Sequence, residues 1–136
     1  MIKSDAQRER TAAQIEGFRQ ALAKVDREMT GKRAATVRGS YEGMIRQLEE
    51  ELREYGDLKS GELTFLDVER LDQIAPFVAK MRIARGVSQT ELAHRLGVSK
   101  QVVSRYEETE YQTVAISRLQ EILDAMGIKA FVTLKV

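Results

Sequence analysis

Hydrophobic residues in the first sixty positions recur at alternating spacings of three and four, the pattern of helices with one apolar stripe. The first stripe comprises Ile15, Phe18, Leu22, Val25 and Met29, and the second comprises Tyr41, Ile45, Leu48, Leu52 and Tyr55. They predict one helix over residues 4–29 and another over residues 40–56, joined by a basic linker. We expect these helices to form a hairpin. Their apolar stripes are buried either against each other, against a second subunit or against another protein.

The pattern changes after a polar hinge at residues 57–61. Residues 62–68 and 131–136 have the composition and alternation of β-strands, and we expect them to pair, within one subunit or across a dimer. Between them, helical spacing returns and predicts helices near residues 72–85, 89–96, 100–107 and 114–126. The predicted fold is therefore mainly α. It has a helical hairpin in residues 1–60, for dimerisation or partner binding, and a second domain with short flanking β-strands in residues 61–136.

Residues 88–107 combine several unlike signals of two short helices joined by a tight turn. Ser88 followed by Glu91 forms a capping box at the start of the first helix. Gly97 suits the left-handed backbone that ends this helix, since glycine has no Cβ to clash there. Ser99 is placed to cap the second helix, and the small Ala93 allows the two helices to approach closely.

This stretch resembles the helix-turn-helix of the Xre/Cro phage-repressor family, and the resemblance extends over residues 71–127. The matching residues are Gln89, Glu91–Ala93, Leu96–Ser99, Val103, Ser104 and Glu107. The resemblance implies a lambda-repressor-like domain whose second motif helix lies in the major groove of DNA. Phage-type domains often carry a fifth helix where this chain has the predicted strand at residues 131–136.

The outward positions of the second motif helix carry side chains that can read base edges: Lys100, Gln101, Val102, Ser104 and Arg105. An arginine fork can pair with guanine, glutamine with adenine, and valine can contact a thymine methyl group. By the resemblance, Gln89 contacts a backbone phosphate. Weaker candidates for phosphate contacts flank the site: Arg85, Ser88, Tyr111, Gln112, Thr113 and Arg118. We expect Glu107 to cap the helix or to pair with Arg95 or Lys100.

The charge distribution supports a DNA-binding face more than the total charge does. The chain has 22 Lys and Arg against 21 Asp and Glu, a net charge of +1. Six basic residues lie between positions 80 and 105 with a single acid, Glu91. A basic cluster centred on the motif is the electrostatic footprint expected of a nucleic-acid binder.

Catalysis and metal binding have little support in the sequence. There is no cysteine, and His94 is the only histidine, without a second ligand in metal-binding register. No glycine-rich phosphate loop or nucleophile elbow is present. We therefore expect no enzyme activity, no metal and no cofactor. The polar N-terminus and the lack of a long apolar run predict a cytoplasmic protein that does not insert into membranes.

Three functional hypotheses follow. The first is a sequence-specific transcription regulator, a repressor that binds an inverted-repeat operator in double-stranded DNA as a homodimer. The second is an antitoxin of the HigA type, which represses its own operon and binds a toxin protein through the helical hairpin. The third is an interaction module that binds no DNA, a hypothesis kept open by the ten basic and ten acidic residues from Gly61 onward.

Overall fold

The computed structural model describes residues 1–136, and the chain is mainly helical. It divides into two compact units, Met1–Asp57 and Leu58–Val136.

The first unit is built from two long helices, α1 (Asp5–Glu28) and α2 (Gly31–Lys59). Ser4 caps α1, because its side chain accepts a hydrogen bond from the Gln7 backbone N–H. The predicted stripes provide much of the core: Ile15, Val25, Ile45 and Tyr55 are buried, and the rings of Phe18 and Tyr41 lie 5.8 Å apart. The Tyr55 hydroxyl donates to the carboxylate of Asp5, so this buried polar group is satisfied.

The predicted ten-residue linker is wrong. Only Met29 and Thr30 separate the helices, and α2 begins at Gly31 rather than at Ser40. Gly31 is the first residue of α2 and has a φ of +79°, a left-handed conformation that favours glycine. Residues 32–39 contain no proline, and Arg38 forms ion pairs with Asp26 and Glu42. Low apolar content therefore does not prevent this stretch from being helical.

The second unit is a cluster of short helices. Two 3₁₀ turns, Leu71–Gln73 and Ala75–Phe77, lead into α3 (Val78–Ala84). The helices α4 (Gln89–Leu96), α5 (Lys100–Glu108) and α6 (Ile116–Ala125) follow. The single helix predicted for residues 72–85 is thus a regular α-helix only in its second half. Their shared core is mainly apolar and comprises Ala75, Val78, Ala79, Val87, Leu92, Ala93, Val103, Tyr111, Ile122, Leu123 and Met126.

The predicted β-strands are wrong, since the chain contains no strand. Residues 62–68 and 129–136 are irregular and make no backbone–backbone hydrogen bonds with each other. Both segments instead line one cleft of about 630 Å³. A two-stranded ribbon needs a packed apolar face to be stable, and Phe131 and Leu134 remain 90% and 75% exposed in the single chain. The apolar side chains that alternate along these segments are therefore not buried, and without that burial the two segments do not pair as strands.

Candidate nucleic-acid interface

Local sequence signals fix the geometry of α4 and α5. The Ser88 hydroxyl accepts a hydrogen bond from the Glu91 N–H at 3.0 Å, which satisfies one of the free donors at the start of α4. Gly97 ends α4 with a φ of +69°. Leu92 on α4 and Val103 on α5 are fully buried between the helices. Ser99 occupies the cap position of α5 but makes no side-chain capping bond.

The outer side of α5 carries polar groups that have no partner within the chain. Lys100, Gln101 and Arg105 are exposed, and their side chains form no hydrogen bond or ion pair. Val102 and Ser104 are half-buried. This helix therefore presents a guanidinium, an ammonium and an amide to solvent on one short element, the donor set with which proteins contact base edges.

The inner side of α5 carries the opposite arrangement, a buried and fully paired carboxylate. Glu107 accepts two hydrogen bonds from Arg82, from Nε at 2.7 Å and from Nη2 at 2.8 Å. It also accepts from Gln89 Nε2 and from the Tyr111 hydroxyl, both at 2.9 Å. A third Arg82 nitrogen donates to the carbonyl of Val87 at 2.8 Å. No buried side-chain polar atom lacks a partner, so the ion pair is compensated on both sides.

We call Arg82, Gln89, Glu107 and Tyr111 the inner network. It joins α3, α4, α5 and the loop after α5. Burial, together with the nearby Glu107 carboxylate, raises the pKa of Tyr111 well above its ordinary value.

The partner of Glu107 is Arg82. The expectation that Glu107 caps the helix or pairs with Arg95 or Lys100 is therefore wrong. Sequence reasoning missed this pairing, although both charged residues lie at positions where helical spacing predicts core.

The inner network also changes the predicted phosphate contacts. The side chains of Gln89 and Tyr111 are buried and bonded to Glu107. Ser88 is exposed, with its hydroxyl engaged in the cap. Thr113 is exposed, with its hydroxyl 3.5 Å from that of Thr109. The phosphate contacts of these residues stay predictions.

Two further cations of the basic cluster are engaged at the end of α6. Arg85 Nε donates to the carbonyl of Met126 at 3.1 Å, and Arg95 Nη1 donates to the carbonyl of Ala125 at 2.9 Å. Carbonyls at a helix C-terminus lack intrahelical partners and carry partial negative charge, so arginines are favoured there. With Arg82 buried as well, the cluster of six basic residues leaves Lys100 and Arg105 as its unpaired surface cations.

No group of three or more His, Cys, Asp or Glu side chains is arranged to hold a metal ion. None of the helices has a stretch both long and apolar enough to cross a bilayer.

Arg118, another of the phosphate candidates, lies on α6 and donates to the Tyr106 hydroxyl and to Glu121. These interactions raise the pKa of its guanidinium.

Comparison with known proteins locates the family signal in the second unit. Residues 78–131 match a family model described as helix-turn-helix. No curated protein and no solved structure matches the chain. The matched range contains α3 to α6, the whole inner network and the outer side of α5. Residues 78–131 are therefore similar to the helix-turn-helix domains of the Xre, lambda-repressor-like type, which occur in DNA-binding regulators.

Proposed function

We propose that this protein is a transcriptional repressor that binds an inverted-repeat operator as a homodimer, with α5 as the helix that reads the major groove. One observation carries the proposal. Arg85 and Arg95 close the end of α6 and Arg82 is buried, whereas Lys100 and Arg105 on α5 have no partner. Unpaired cations concentrated on the second helix of the motif are what major-groove recognition requires.

Each side chain on this face has a distinct role in the proposal. Arg105 offers a planar fork for the O6 and N7 atoms of guanine, and Gln101 can donate to and accept from adenine. Lys100, at the first position of α5, can reach a guanine or a phosphate. Val102 and Ser104 lie beside them, half-buried, and suit short contacts with a thymine methyl group and with a base edge.

A dimer follows from the small size of the reading surface. One short helix contacts too few base pairs to distinguish an operator from the many competing sites of a genome. Two copies related by a two-fold axis would read half-sites with centres about 34 Å apart, one turn of the double helix. A protein bound across such a site blocks a promoter that overlaps it, which is the mechanism we propose for repression.

The test measures DNA binding by fluorescence anisotropy in a salt series. The duplex is selected from a random library and compared with the region upstream of the gene. The variants are Gln101→Ala with Arg105→Ala and, as a matched control, Arg46→Ala with Gln47→Ala. Both pairs remove one cation and one amide from an exposed helix surface. We expect the α5 variant to lose about 1–3 kcal/mol per base contact, while the control binds like the wild type.

The salt series separates the possible outcomes. Tight binding that weakens steeply with salt and loses its sequence preference in the α5 variant supports the proposal, because phosphate neutralisation releases counterions. Binding without any sequence preference, or preference that survives in the α5 variant, rules out α5 as the reading helix. No binding to any duplex would favour the alternative of an interaction module without DNA-binding activity.

The antitoxin hypothesis is a second proposal, supported by the compact helical unit Met1–Asp57. This unit lies outside the range matched by the helix-turn-helix model, so it is available for a separate task such as binding a toxin. Purification of the chain from its native host tests the idea. A small protein encoded beside this gene that co-purifies in stoichiometric amount supports it, and a protein that purifies only with itself contradicts it.

A further inference from the structure

The second unit exposes an apolar surface next to its irregular segments. We define the cleft face as residues 62–71 and 129–136, the two segments on either side of the 630 Å³ cleft. Large apolar side chains on this face remain exposed: Phe65, Leu71, Phe131, Val132, Leu134 and Val136. Large exposed apolar side chains gathered on one part of a domain are typical of a contact site.

The unpaired charges on the cleft face divide between its two segments. Glu62, Asp67 and Glu69 are exposed on the first segment, and Lys129 and Lys135 are exposed on the second. None of these five side chains forms an ion pair within the chain, whereas Arg70, the cation of the first segment, is paired with Asp72 at 2.8 Å. The unpaired charge is therefore acidic on one half of the face and basic on the other, and the two halves do not neutralise each other in a single copy.

Most of the backbone of the cleft face, all but residues 69–71, is also unpaired. Residues 62–68 and 129–136 form no backbone–backbone hydrogen bond. Backbone N–H and C=O groups without a partner in the chain are available to bond with another chain. The face thus combines exposed apolar side chains, unpaired charges and unpaired backbone groups at one place, and none of the three is satisfied within the chain.

We propose that the occupant of the cleft face is the same face of a second copy of this protein. A two-fold axis would set the acidic segment of one copy against the basic segment of the other, and symmetry would repeat the same contact. A single self-complementary surface then neutralises both halves at once. This inference rests on the proposed function, since it names the surface through which the homodimer forms.

The size of the surface is adequate for such a dimer. An aromatic side chain buries roughly 150–250 Å² when fully covered. Six large exposed side chains therefore supply apolar area on the order of several hundred Å² per copy, against roughly 800 Å² per partner in a standard interface. The polar rim formed by the five charges and the backbone groups would supply the remainder.

The first experiment measures the oligomeric state of the full chain by sedimentation equilibrium over a wide concentration range. Phe131→Glu with Leu134→Glu places charges in the centre of the proposed interface. Ile116→Glu is the matched control, because Ile116 is 73% exposed on α6, outside the cleft face. We expect a wild-type dimer, a dimerisation constant weakened by about thirtyfold or more in the double variant, and no change in the control.

The second experiment tests whether the charges meet between copies. Glu62→Lys with Glu69→Lys makes both halves of the face basic, and Lys129→Glu with Lys135→Glu makes both halves acidic. Each variant alone would repel itself, whereas an equimolar mixture would form a heterodimer. If the charges instead met within one chain, mixing the two variants would change nothing. Circular dichroism and melting curves check that each variant is folded.

Several results would overturn the inference. A wild-type chain that stays monomeric at every concentration excludes a second copy and leaves the face to a partner of different sequence. A dimer that persists in Phe131→Glu with Leu134→Glu forms through another surface. Charge-inverted variants that dimerise like the wild type rule out the two-fold arrangement. These assays contain no DNA, so a cleft-face dimer that binds no duplex would refute the proposed function and leave this inference intact.

Discussion

The two sides of α5 differ in whether their polar side chains are hydrogen-bonded within the chain. On the inner side, the Glu107 carboxylate is 1% exposed and accepts four hydrogen bonds, two of them from Arg82. On the outer side, Lys100, Gln101 and Arg105 form none. Polar bonds on the inner side fix the helix, and the outer side keeps its donors available. The difference suggests how an element of only nine residues can present side chains in a defined geometry without bonding them to its own domain.

Removal of Glu107 is the strongest test of the inner side. Glu107→Ala leaves the Arg82 guanidinium buried without its carboxylate, and the loss of one partner of a buried ion pair costs about 3–5 kcal/mol. Glu108→Ala is the matched control, since its neighbouring carboxylate is exposed and should change the unfolding free energy by less than about 0.5 kcal/mol. Denaturant unfolding measures both. Equal midpoints for the two variants would mean that the inner network does not stabilise the domain.

Alkaline pH should weaken the inner network by a smaller amount. The folded state raises the pKa of Tyr111, through burial first and then the Glu107 carboxylate, above the ordinary value of about 10. Below that pH both states keep the proton, and the contribution is complete. Above it, only the unfolded chain loses the proton, so stability falls by up to about 1.4 kcal/mol per pH unit. Melting temperatures of the wild type and of Tyr111→Phe, measured upward from neutral pH, should diverge above this value; parallel curves would contradict the assignment.

Substitutions on the outer side should have the smallest effect on stability. Lys100→Ala, Gln101→Ala and Arg105→Ala each remove an exposed group without a partner in the chain. The unfolding free energy should change by less than about 0.5 kcal/mol in each case, even where DNA binding is lost. A destabilisation of more than about 1 kcal/mol at any of these positions would show that the outer side also holds the fold together, and the contrast between the two sides would fail.

The helix-turn-helix could be predicted from the sequence because its determinants are local. The Ser88 cap lies three residues from its Glu91 partner, and Gly97 provides its left-handed conformation without help from the rest of the chain. The buried faces of α4 and α5 also follow from helical spacing, as Leu92 and Val103 show. The family match over residues 78–131 confirms the resemblance at this level.

The inner network and the chain's irregular parts could not be predicted in the same way. Arg82 and Glu107 are 25 positions apart, and helical spacing places both in the core without saying that they meet. Counting Arg82, Arg85 and Arg95 as free surface charge was misleading. Arg82 is buried against Glu107, Arg85 donates to a backbone carbonyl, and Arg95 binds both a carbonyl and the Glu91 carboxylate. In residues 62–68 and 131–136, apolar and polar side chains do alternate, but alternation alone does not show that a neighbouring strand exists. Neither segment pairs with another.

The buried ion pair also restricts how this domain can change over generations. A mutation at position 82 or 107 alone leaves an uncompensated charge in the core, and for a protein of ordinary stability that loss is a large part of the whole margin. A lineage can abandon the pair only by changing both positions nearly together, or after other substitutions have added stability. The outer positions of α5 carry no such restriction. Single mutations can therefore change the side chains that this side exposes, while the side that orients the helix stays fixed.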